Sequence, residues 1–119
     1  MKVDPDCVYK LDKLIEYIGT DEEVIKNMIG IFLTTTPDLL SQVLAGLQSE
    51  NYDEIAKNVH KLKPTLDIFG IDSLHDPIRS IENYAKQKKN IQKIAELIAL
   101  LEKTLEKVIF ELKKDFSLS

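Results

Sequence analysis

The sequence predicts an all-α protein, an antiparallel four-helix bundle with a short extra N-terminal helix. Apolar residues recur at spacings of three and four along the whole chain, the helix period and not the alternation of strands. Leu, Ile, Lys and Glu dominate the composition. Short turns separate segments that each carry one apolar face, and an antiparallel bundle is the simplest way to bury such faces together.

The first helix is expected over about residues 9–18, with Leu11, Leu14, Ile15 and Ile18 on one face and Gly19 as its stop. Thr20, Asp21, Glu22 and Glu23 match a capping box in which the threonine oxygen accepts from the Glu23 amide. The helix so started carries Ile25, Ile29 and Phe32 and meets Pro37, which either kinks one long helix or opens a new one. Asn51 to Glu54 form the next turn and cap. A helix from about Tyr52 to Phe69 follows, with Ile55, Val59, Leu62, Leu66 and Phe69 in register and Gly70 as terminator. Another runs from Ile71 to about Lys88, disturbed in its first turns by Pro77. The last helix spans about 91–115 and repeats Ile94, Ile98, Leu101, Leu105, Val108 and Leu112 over three heptads. Such a seam also suits a self-associating coiled coil, but Ala95, Leu97, Leu100 and Ile109 widen it beyond two strands.

One domain over residues 1–119 is expected, because a chain of this length buries its own core without metal or disulfide staples. Cys7, the single cysteine, has no intramolecular partner. The net charge of -4 and the lone arginine, Arg79, argue against a nucleic-acid ligand. The longest uninterrupted apolar run is Leu97 to Leu101, and the N-terminus lacks the apolar stretch of a signal peptide, so no membrane partner and a cytoplasmic location are expected. The glycines stand singly, which excludes a glycine-rich phosphate loop, and His60 and His75 lack the spacing of a helical zinc site. No cofactor and no metal are expected in the chain.

His60 remains. On a helical wheel it falls roughly 120° from the centre of the apolar stripe around Leu66, so its imidazole projects from the surface. Asp53, Lys57, Pro64 and Asp67 share that side, Lys63 stands nearer the core boundary, and Lys61 adds charge. Lys57 and Lys63, at i-3 and i+3, are its neighbours on the helix surface and would stabilise an anionic group attached to the ring. Pro64 removes the backbone bond to the His60 carbonyl. His75, near the start of the next helix and without a lysine at +3, reads as structural or solvated.

The segment from His60 through Lys61, Leu62, Lys63, Pro64 and Thr65 to Phe69 and Gly70 resembles the H-x-L-K-G-[ST]-x-x-x-[LF]-G motif of histidine-containing phosphotransfer (HPt) domains. Phe32, the turn at Asn51 to Asp53, Leu74 and the pair Ile81 and Glu82 look like that family's other landmarks, and the resemblance covers about residues 9–88. It implies a phosphorelay intermediate in which His60 is the phosphoacceptor and Lys63 neutralises the phosphoryl oxygens. Partners would be receiver domains, which supply the magnesium, and possibly a hybrid kinase, with this chain a monomer; Lys57, Lys61, Pro64 and Asp67 would face them. The departure is Pro64, where the family has glycine. The alternative is a helical adaptor that docks receivers or kinases without accepting phosphate.

Overall fold

The computed structural model describes residues 8–117; Cys7 lies outside them. Five α-helices appear among the described residues: α1 (Asp12–Ile18), α2 (Glu22–Gln48), α3 (Tyr52–Ile68), α4 (His75–Gln87) and α5 (Ile91–Asp115). One 3₁₀ turn, Asp72–Leu74, precedes α4. Helix α2 packs on α3, α3 on α4, α4 on α5 and α5 on α2, which closes a four-helix bundle, and α1 lies against α2. Phe32 meets Phe69 while Gly46 lies beside Ile55, and His60 meets Glu82 while Asp67 meets Arg79, so α2/α3 and α3/α4 are antiparallel.

The α3 and α5 stripes are buried as the periodicity predicts. On α5, Ile94 through Leu112 fill the inside of the bundle, Leu97 and Ile109 are half-buried, and Ala95 and Leu100 face solvent. The heptad seam is therefore consumed within one chain, which removes the basis for a coiled-coil dimer built on it.

Three local expectations change, and the alternatives at Pro37 are decided. Helix α2 is capped by Asp21, whose Oδ1 accepts from the Glu23 amide at 2.9 Å, and not by Thr20. A charged carboxylate at this position also complements the helix dipole. Of the two alternatives at Pro37 the structure has the single long helix, and α2 passes through it. Phe32 and Leu40, on either side, are buried, and their packing offsets the roughly 3 kcal/mol that an interior proline costs. The helix expected from Ile71 begins as the 3₁₀ turn and becomes α-helical only at His75. Pro77 has no N–H to bond the carbonyl of Ser73, so the α-helical ladder cannot start earlier. Tyr9 to Leu11 precede α1: Tyr9 is buried with its hydroxyl donating to Asp115, and the Lys10 amide donates to the Phe69 carbonyl at 2.9 Å.

Among the described helices α2 is also long and apolar enough, by length and composition, to cross a membrane. Its Ile25, Ile29, Phe32, Leu40 and Val43 instead form one wall of the core.

Candidate functional site

Helix α3 starts where the Asn51 side chain accepts from the Glu54 amide, and it runs unbroken through Pro64 to Ile68. Its inner stripe sets the rotation of the helix, and that rotation leaves the His60 side chain 66% exposed. The opposing residue comes from α4. There Ile78, Ile81 and Ala85 pack inward at helical spacing, and Glu82 occupies a position on the same stripe, its side chain only 5% exposed.

A carboxylate in that position needs partners, and three cationic or potentially cationic groups supply them. His60 Nδ1 lies 2.7 Å from Glu82 Oε2, Lys63 Nζ 2.6 Å from Oε1, and Lys86 Nζ 3.3 Å from Oε2. Burial alone would raise the Glu82 carboxyl. The hydrogen bonds from Lys63, His60 and Lys86 outweigh it and hold the group down to about 2. Glu82 is thus ionised at neutral pH and can only accept, so the proton of the neutral imidazole must sit on Nδ1. The lone pair is then on Nε2. An exposed ring with a fixed tautomer is an oriented nitrogen nucleophile.

This linkage has a sign. The folded-state value of Glu82 is depressed from 4.5, so its contribution to stability is fully present above about pH 4.5 and is lost as pH falls towards 2. The contribution is no more than about 3 kcal/mol, because His60 and Lys86 are largely solvated and their attraction is screened. Urea midpoints should fall across that window in the wild type, and Glu82→Gln should remove that part of the slope.

The structure brings His60 and Lys63 together on one carboxylate. Lys57, Lys61 and Pro64 are exposed on the outer side of α3. Asp67, like His60, reaches across to α4: it is paired with Arg79 at 2.7 Å, and that guanidinium holds its carboxyl below the usual range. His75 opens α4 with a mostly exposed ring, its Nδ1 3.0 Å from Asp76, consistent with a solvated residue. Among the described residues no group of three or more His, Cys, Asp or Glu side chains is arranged to hold a metal.

In the sequence Glu82 stands only as a landmark of the family resemblance, without a role, and nothing there singles out Lys86. The available signal was a glutamate inside the Ile78, Ile81, Ala85 stripe, since a carboxylate at a core position requires a cation opposite it.

A family model described as the Hpt domain matches residues 27–110. The chain belongs to the Hpt domain family. Comparisons with curated proteins and with solved structures give no match. The matched span takes in α3, α4 and most of α5, so the long last helix is part of the Hpt domain. Membership assigns the chain to phosphotransfer in two-component phosphorelays, whose Hpt domains work with receiver domains and histidine kinases.

Proposed function

We propose that this Hpt domain is a relay intermediate that accepts a phosphoryl group on His60 Nε2 from a receiver aspartate and passes it to a second receiver. The observation that supports this reading is the seat of His60 Nδ1 on the buried, ionised Glu82. In the forward step the Nε2 lone pair attacks phosphorus and the bond from phosphorus to the aspartyl oxygen breaks. The aspartate leaves as a carboxylate. The ring keeps its Nδ1 proton and becomes formally cationic, opposite the negative charge of Glu82, which stabilises it. Passing the phosphoryl group on reverses these steps. The receiver supplies magnesium and docks over the exposed side of α3, where Lys57, Lys61 and Pro64 lie; proline, like the family's glycine, has no long side chain to obstruct it. A single chain acting in the cytoplasm suffices for this role.

Incubation with a phosphorylated receiver, followed by peptide mapping, should place an acid-labile label on His60. Docking without label at His60 would instead favour the adaptor. Lys63 stays on Glu82 and offers its remaining N–H donors to the phosphoryl oxygens. Lys63→Ala should slow transfer by about tenfold and cost about 1 kcal/mol, since Glu82 keeps two other partners. Stopped-flow transfer and urea titration check both, and an unchanged transfer rate would remove Lys63 from the mechanism.

A further inference from the structure

Two lysines touch Glu82, and they are not equivalent. Lys63 reaches it at 2.6 Å with a side chain 24% exposed, while Lys86 reaches it at 3.3 Å with a side chain 60% exposed. Lys63 comes from α3, the helix of His60, and Lys86 comes across from α4. His60 Nδ1 and Lys86 Nζ contact the same carboxylate oxygen, so they lie no more than 6.0 Å apart. The phosphoryl group would be on Nε2, across the ring from that oxygen, so Lys86 must swing past Nδ1 to meet it, a movement that four methylenes allow by rotamer change.

We infer that Lys86 is a second phosphoryl-binding residue, an exchangeable cation that leaves Glu82 for the phosphoryl oxygens once His60 is modified. The inference rests on phosphotransfer through His60. A phosphoryl group adds between one and a half and two negative charges beside the ring. Releasing Lys86 costs little, since solvated ion pairs contribute little, and Glu82 retains Lys63 and the Nδ1 proton. The new contact is a charge-assisted bond to a doubly charged group. Moving Lys63 instead would strip a buried carboxylate of its shortest contact. Lys63 therefore fixes the carboxylate, and Lys86 follows the phosphoryl group.

Two measurements test this. In the first, protein treated with phosphoramidate, which phosphorylates histidine without a receiver, is followed by NMR of the lysine ammonium groups. The Lys86 signal should shift on phosphorylation, and the shift should be absent in His60→Gln. In the second, the equilibrium partition of phosphoryl between this chain and a magnesium-loaded receiver should move towards the receiver by about three- to tenfold in Lys86→Ala and be restored by Lys86→Arg. An unmoved Lys86 signal, or a Lys86→Ala partition within about twofold of wild type, overturns the inference. Failure of any receiver to label wild-type His60 overturns the relay reading instead, and the ammonium spectrum still decides what Lys86 does.

Discussion

Replacing Glu82 with alanine is expected to slow phosphoryl transfer to His60 by about 10- to 100-fold and to destabilise the bundle by about 1–3 kcal/mol. Both effects come from one carboxylate. Without it, nothing fixes the imidazole proton on Nδ1, and a fraction of the rings present a protonated Nε2 that cannot attack. The loss stays short of that seen when a buried catalytic histidine is locked in the wrong tautomer, near 10⁴-fold, because this ring is 66% exposed and exchanges its proton with water. The remaining rate comes from rings in the productive tautomer that have lost their orientation and the charge opposite them. The stability loss has another origin: Lys63, 24% exposed, is left without its 2.6 Å partner. Glu82→Gln separates the two. Its amide oxygen can accept from Nδ1, but its amide nitrogen can equally donate to the wrong tautomer, so transfer should fall between wild type and alanine. Single-turnover transfer and urea unfolding on the three proteins measure the two effects independently. Equal rates in all three would mean that Glu82 is only a structural counter-ion.

The contrast between His60 and Glu82 shows what the sequence could reveal. The position of His60 follows from the rotation of α3, which Ile55, Val59, Leu62 and Leu66 determine locally, so exposure of the imidazole was legible. The helices themselves were legible for the same reason. The hydrogen-bond partner of His60 was not, because which residue of α4 meets it depends on the stagger of two antiparallel helices. That stagger is set by the turn from Gly70 to Leu74, where Pro77 delays the start of α4. The pairing of Asp67 with Arg79 is hidden for the same reason: Asp67 shares the side of His60 on its own helix, but which residue of α4 meets it depends on that stagger. The continuity of α2 through Pro37 is likewise a tertiary effect, since local propensity favours a break and the buried contacts of Phe32 and Leu40 override it.

Gly70→Ala should destabilise the protein by about 2–4 kcal/mol, and backbone conformation is the smaller part of the reason. Helix α3 ends in a Schellman motif, with the Ile71 amide bonded to the Leu66 carbonyl and the Gly70 amide to the Asp67 carbonyl, and Gly70 sits at φ 61°. The same motif closes α2 and α4, where Glu50 and Lys88 take the left-handed position at φ 56° and 54°. With Asn90 and Ser117, four described residues carry a side chain in that conformation, so this fold tolerates it. What distinguishes Gly70 is the N-terminal segment crossing it: an added Cβ would lie 2.7 Å from the Lys10 carbonyl oxygen and 2.9 Å from its nitrogen. Backbone cannot yield as a side-chain tip can, so the segment must lift. It would surrender the Lys10 to Phe69 hydrogen bond and loosen the burial of Tyr9. Gly30→Ala is the control. Its Cβ would meet nothing within 4 Å inside α2, so it should stabilise by about 0.5–1 kcal/mol. Urea titration should move the two midpoints in opposite directions, and hydrogen exchange at the Lys10 amide should accelerate only in Gly70→Ala. Retained protection there, with the midpoint lowered by about 1 kcal/mol or less, would mean that the dihedral angle alone selects glycine.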